Sequence, residues 1–127
     1  MSAGLWVTGL LFVLAGALHF VIPKFYLAIM PAWLPSPLAL VYASGVFEIL
    51  GGAGLLIPAL RTAAAIGLIL LLLAVFPANI EMVRMAHSRG ASTVLLTALW
   101  LRLPLQPLLM WWVWRVSQSG NDLVRVS

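Results

Sequence analysis

Residues Ser44–Leu56, SGVFEILGGAGLL, place a single carboxylate in an apolar helical stretch about as long as a bilayer is thick. Small residues share one face of this helix with Glu48, and small residues let backbones approach closely in lipid. An isolated charge in hydrocarbon is costly, so Glu48 is expected to face the interior of a helical bundle. The helix-packing residues predicted on this face are Ser44, Gly45, Gly51 and Gly52.

The composition extends this interpretation to the whole chain. Of 127 residues, 64% are hydrophobic and 8% are charged, against about 25% charged residues in ordinary soluble domains. The sequence therefore predicts an all-α integral membrane protein, a single domain over residues 1–127 that forms an antiparallel bundle of four transmembrane helices. We expect the helices at about residues 3–22, 38–57, 62–83 and 92–114, and a polar, mobile tail over residues 116–127.

The stretch between the first two helices, PKFYLAIMPAWLPSP, has four prolines in fifteen residues. It is too broken by proline to span, and its aromatic residues are typical of the headgroup region, so a Pro-rich interfacial loop is expected. Basic residues are balanced between the two sides of the bundle. The free N-terminal amine favours cytoplasmic termini, and the localisation expected is a bacterial inner membrane.

Several classes of function are excluded or disfavoured. The chain has no cysteine, which excludes disulfide exchange and thiolate chemistry. The basic residues are scattered, whereas nucleic-acid binding requires a basic face. No spacing indicates a metal site, a nucleophile beside a base, or a covalently bound cofactor. No catalytic residue is predicted. The sequence leaves open whether the protein takes part in an enzymatic reaction, for example as an accessory subunit of an oxidoreductase.

The carboxylate has a predicted partner in the fourth helix. Glu48 lies ten residues after Leu38 and Arg102 lies ten residues after Ser92, so the two charges lie at the same depth. Two buried charges at one depth are expected to pair. The sequence thus predicts an intramembrane ion pair between Glu48 and Arg102, and leaves open whether that pair is structural or functional.

The remaining buried polar residues fall in the same half of the membrane. His19 lies one turn from the end of the first helix, Asn79 one turn from the end of the third, and Gln106 one turn after Arg102. The other half is almost purely apolar. The sequence therefore predicts a polar pocket in one leaflet, for a quinone or lipid headgroup, formed by His19, Glu48, Asn79, Arg102 and Gln106.

Several motifs occur together in a recognisable order. They are GALHFVIPKFY (16–26), MPAWLPSP (30–37), SGVFEILGGAGLLIP (44–58), FPAN (76–79) and RLPLQ (102–106). Together they resemble the DoxX-like family of small four-helix membrane proteins, over nearly the whole chain. The resemblance implies an accessory or ligand-binding membrane module, because relatives in that family serve different redox, stress-response and assembly systems.

The function expected is a DoxX-like, non-catalytic membrane module that binds a quinone or lipid-like molecule and serves a redox or stress-related partner. An assembly or chaperone subunit that binds a client membrane protein is the alternative, and a proton-coupled small transporter using Glu48 is a further one. The bilayer is the predicted partner in every case. The sequence leaves the oligomeric state open.

Overall fold

A computed structural model describes residues 3–30 and 33–126 of the chain, with the backbone alone for Ile29 and residues 119–126. Within these ranges the chain folds into five α-helices and has no β-strand. The helices are α1 (Ala3–Val21), α2 (Pro23–Ile29), α3 (Pro37–Leu55), α4 (Arg61–Ser88) and α5 (Thr93–Val126).

Four of the helices have the length and composition of membrane spans. In the part of the chain that the structure describes, α1, α3, α4 and the Thr93–Gln118 part of α5 are long and apolar enough to cross a membrane. The predictions of an all-helical chain and of four such helices are therefore confirmed. Each has at most two charged residues in its most apolar window, which is the pattern that hydrocarbon tolerates.

The Pro-rich segment differs from the expected loop, because its first half is helical. Helix α2 begins at Pro23, in the first turn. A proline is tolerated there because its missing N–H would have had no helical partner. Met30 then takes an extended conformation, with φ −77° and ψ 145°, and ends the helix.

Helix α5 is longer than the sequence indicated. It contains Pro104 and Pro107 and continues through Val126, so the segment expected to be a mobile polar tail continues the helix as far as residue 126. Both prolines are accommodated without ending the helix. Each removes an N–H donor and so leaves a carbonyl one turn earlier without its usual partner.

Close backbone contact between α1 and α3 depends on two pairs of glycines. A Cβ at Gly52 would lie 2.5 Å from the carbonyl oxygen of Gly9, and a Cβ at Gly16 would lie 2.6 Å from that of Gly45. Within each helix the two glycines are seven residues apart, or about two turns. Only glycine fits at such distances. Gly9, Gly16, Gly45 and Gly52 therefore form a glycine seam that fixes how the two helices pack.

Helix α3 packs against α4 through its other small residues. A Cβ at Gly51 would lie 2.5 Å from the Leu68 side chain, and a Cβ at Gly54 would lie 2.8 Å from the Cβ of Ala64. Gly45, Gly51 and Gly52, three of the residues predicted for helix packing, lie at these contacts between helices. Ser44, the fourth residue predicted for packing, lines a cavity instead.

Val83, Ala86 and Leu99 form a small buried apolar cluster between α4 and α5, and a larger apolar core lies elsewhere in the bundle. Its buried residues come from the start of α1, the end of α3, the start of α4 and the middle of α5 and are Leu5, Phe12, Leu55, Ala65, Leu68, Leu72, Val113 and Val116. At the edge of this core, Arg61 is only 1% exposed and its Nε donates to the carbonyl oxygen of Leu55 at 2.7 Å. Trp112 Nε1 donates to Thr8 Oγ1 at 2.8 Å and joins α5 to α1.

Candidate ligand-binding site

A cavity of about 380 Å³ lies beside the larger apolar core, and Leu72 borders both. It lies chiefly between α3 and α4, with smaller contributions from α1, α2 and α5. The side chains that the sequence predicted for a polar pocket all line it, and they are His19, Glu48, Asn79, Arg102 and Gln106. Residues from four different long helices therefore meet at one site.

His19 is held in place by three contacts. Its Nδ1 lies 2.8 Å from the carbonyl oxygen of Ala15, one turn earlier, and 3.4 Å from Oε2 of Glu48. Its ring stacks on the ring of Tyr26, with 4.0 Å between centroids and an interplanar angle of 16°. The carbonyl is the closer acceptor for the Nδ1 proton, so Glu48 receives at most a weak share of it.

The direct ion pair between Glu48 and Arg102 is not formed in this structure. Among the described residues, the salt-bridge contacts within 4.0 Å join Glu48 to His19 and Glu81 to Arg84. Helix α3 packs on α1 and α4, whereas α5 packs on α4 and α1, so α3 and α5 lie diagonally across the bundle. Equal depth does not bring diagonal helices into contact. The two opposite charges instead face the same cavity.

Three residues that line the cavity each have a buried side-chain polar atom without a hydrogen-bond partner within the described ranges. The atoms are Oε2 of Glu48, Nδ2 of Asn79 and Oε1 of Gln106. Asn79 is 3% exposed and Gln106 is 5% exposed, so bulk water does not satisfy them. Leaving one such group unpaired costs about 1–3 kcal/mol. Because buried unpaired groups are rare, three of them on the lining of one cavity make it a candidate site for a polar group.

The rest of the cavity surface is largely apolar. Phe47 and Val41 of α3 and Leu71 and Val75 of α4 line its walls. A cluster of polar groups inside an otherwise apolar cavity is complementary to a ligand with one polar end and an apolar body. The site therefore has the character of an amphiphile-binding site.

Helix α2 covers one end of the cavity, which the sequence analysis did not anticipate. Tyr26 and Met30 line the cavity from this side. Tyr26 lies outside the long helices, and burial raises the pKa of its phenol, with a further upward contribution from the charge of Glu48. The signal in the sequence was Pro23, because a proline is favoured at the first turn of a helix.

The fold and the site together define a class of protein. Within the described ranges, helices of membrane-spanning length line a largely apolar cavity that contains a few polar residues, which suggests a small multi-pass membrane protein. Comparison with protein families matches residues 8–117 to the family described as "Domain of unknown function (DUF8561)", and the chain belongs to that family. The matched range includes all five residues that the sequence predicted for the polar pocket. No curated protein and no solved structure matches the chain.

Proposed function

We propose that this protein is a non-catalytic, multi-pass membrane protein that binds a quinone or lipid-like molecule in the cavity between α3 and α4. The observation that carries the proposal is the set of unpaired polar atoms of Glu48, Asn79 and Gln106 around one otherwise apolar cavity. A ligand headgroup that pairs with these atoms removes their desolvation cost, and its apolar body fills the rest of the space.

The residues present fit a quinone-type headgroup. A ring carbonyl oxygen accepts hydrogen bonds, and Asn79 Nδ2 is an unpaired donor at the cavity. Arg102 lines the same cavity and adds a cationic donor. A quinone would supply two-electron redox capacity when bound, whereas the residues of this chain bind and orient the headgroup.

The proposal includes a cellular setting. In this proposal the protein lies in a bacterial inner membrane, with the cavity in one leaflet and the termini in the cytoplasm. In this setting the protein serves a redox or stress-related membrane partner, in keeping with the resemblance to the DoxX-like family. The apolar outer faces of the bundle are exposed in the isolated chain, and they include Trp6, Leu10, Leu14, Leu70, Leu73 and Trp111. Such surfaces are suited to lipid or to another membrane protein.

Native mass spectrometry of the protein extracted gently from its own membranes tests the proposal. We expect a small hydrophobic molecule at one copy per chain, released on mild activation. Asn79→Leu keeps the number and branching of the side-chain heavy atoms and removes the amide, so it should raise the dissociation constant about tenfold, as expected for a lost hydrogen bond of about 1.4 kcal/mol, and lower the occupied fraction accordingly.

The matched control is Thr97→Val, because Thr97 is exposed and its hydroxyl donates to Thr93 of its own helix. It should leave the occupied fraction unchanged. A chain that carries no small molecule in any preparation, although folded, would contradict the proposed function.

A further inference from the structure

The cavity wall between α3 and α4 is open towards the outside of the bundle. Phe47 lines the cavity and is also 60% exposed, and Ala43 and Ala74 line it while being exposed. At the opposite ends of the same two helices, Gly51 packs on Leu68 and leaves no comparable space. The two helices are therefore in close contact at one end and separated along the cavity.

The opening faces the middle of the long helices rather than their ends. Phe47 lies ten residues after Pro37, the first residue of α3, and Ala74 lies thirteen residues after Arg61, the first residue of α4. At about 1.5 Å per residue, both are about 15–20 Å from those helix ends. In a bilayer with a hydrocarbon core of about 30 Å, this depth corresponds to acyl chains and not to water. At the other side, Tyr26 and Met30 of the α2 region cover the cavity.

The Glu48 carboxyl group, whose Oε2 has among the described residues only the 3.4 Å contact with His19 and no hydrogen bond, restricts the chemistry of the headgroup. An ionised Glu48 requires a donor, and a protonated one requires an acceptor, whereas a hydroxyl group supplies both. This requirement does not depend on which way the Asn79 and Gln106 amides point. When Glu48 is ionised, its charge offsets that of Arg102 on the same cavity, and a neutral headgroup is then favoured.

Resting on the proposed function, we infer that the cavity receives a neutral, hydroxyl-bearing amphiphile directly from the bilayer through the opening between α3 and α4. The hydroxyl group pairs with Glu48, and the chain passes between Phe47 and Ala74 into the hydrocarbon. The same hydroxyl chemistry is offered by a neutral lipid such as a diacylglycerol and by a reduced quinone.

Photolabelling in phosphatidylcholine vesicles tests this inference. The probe is a hexadecanol with a diazirine close to its hydroxyl group, and its methyl ether is the matched control because it keeps the chain and loses the donor. We expect adducts on the Ser44–Glu48 segment, which excess unlabelled hexadecanol removes, and about tenfold less labelling with the ether. Competition with a diacylglycerol and with a reduced quinone then distinguishes the two sources.

Substitutions at the opening test the route. Ala74→Trp fills the opening from α4, and Ala43→Trp fills it from α3. Because either substitution blocks the same opening, the test needs only one of the two variants to fold. Both should lower labelling of the Ser44–Glu48 segment about tenfold. Ala63→Trp is the control, because Ala63 is an exposed alanine of α4 that does not line the cavity.

The outcomes separate the inference from the proposed function. Full labelling in a folded Ala74→Trp or Ala43→Trp variant would overturn the lateral route while leaving binding intact. Equal labelling by the alcohol and the ether, or labelling that hexadecanol does not displace, would overturn the hydroxyl recognition. If native mass spectrometry still finds a bound molecule in either case, the proposed function stands and this inference alone fails.

Discussion

The glycine seam between α1 and α3 gives the sharpest prediction for the fold. In Gly52→Ala, the new Cβ would lie 2.5 Å from the Gly9 carbonyl oxygen and 2.9 Å from the Val13 backbone nitrogen. The first distance is roughly 1 Å inside the ~3.5 Å contact distance of non-bonded heavy atoms. Because both contacted atoms belong to the backbone, α1 has to move as a unit, and overpacking of this kind costs about 1–3 kcal/mol.

Gly67→Ala is the matched control, since a Cβ there would meet nothing within 4 Å. Both substitutions replace glycine inside a helix and so gain about 0.5–1 kcal/mol from reduced backbone entropy. This gain cancels in the comparison. Gly67→Ala should therefore be stabilised slightly, and Gly52→Ala should lie about 1–3 kcal/mol below it in free energy of unfolding.

The assay is unfolding by sodium dodecyl sulfate in mixed micelles, followed by far-ultraviolet circular dichroism. Gly51→Ala provides a graded case, because its Cβ would meet the movable Leu68 side chain and not backbone. We expect the order of stability to be Gly67→Ala, then Gly51→Ala, then Gly52→Ala. Equal stability of Gly52→Ala and Gly67→Ala would refute the close packing of α1 on α3.

Three further predictions concern single groups. Trp112→Phe removes the hydrogen bond to Thr8 and should lower the free energy of unfolding by about 0.5–1.5 kcal/mol, with exposed Trp114→Phe as the control in the same detergent titration. Asn79→Leu removes an unpaired buried amide, so the ligand-free protein should unfold at higher detergent concentration, about 1 kcal/mol more stable; an unchanged midpoint would show that the amide is paired. Burial raises the pKa of Tyr26, so the native state keeps its proton when the unfolded state has lost it. The contribution of Tyr26 to the free energy of unfolding is complete below about pH 10, the ordinary pKa of a phenol, and should decline as the pH rises through the raised pKa. Tyr26→Phe should flatten this decline in unfolding curves measured at alkaline pH.

The cavity residues were predictable from sequence because depth is encoded along a helix. Counting residues from each helix end placed His19, Glu48, Asn79 and Arg102 in one half of the membrane, and they do line one cavity. The sequence indicates less clearly on which side of a helix a residue lies, because these helices are apolar on nearly every side. That is why the counting suggested contact between Glu48 and Arg102, whereas the structure places His19 beside Glu48.

Other features depend on contacts that no local pattern reports. The glycines of α3 stood out beside Glu48, but Gly9 and Gly16 of α1 are recognisable as a seam only when α3 lies against them. The sequence places Arg61 in a turn between two helices. In the structure its side chain is buried, and the carbonyl oxygen of Leu55 at the end of α3 accepts its hydrogen bond. The two prolines of α5 do not end that helix.

The buried Arg61 has a mechanical consequence for the cavity. Its bond to Leu55 and the contacts of Gly51 and Gly54 tie the end of α3 to the start of α4. The two helices are therefore held together at this end, the apex, while the cavity lies between their remaining lengths, the arms. A rotation of about five degrees at the apex would separate the arms by about 2 Å at a distance of ~25 Å along the helices. A small angular change far from the polar residues is thus sufficient to widen or narrow the space where a ligand chain lies.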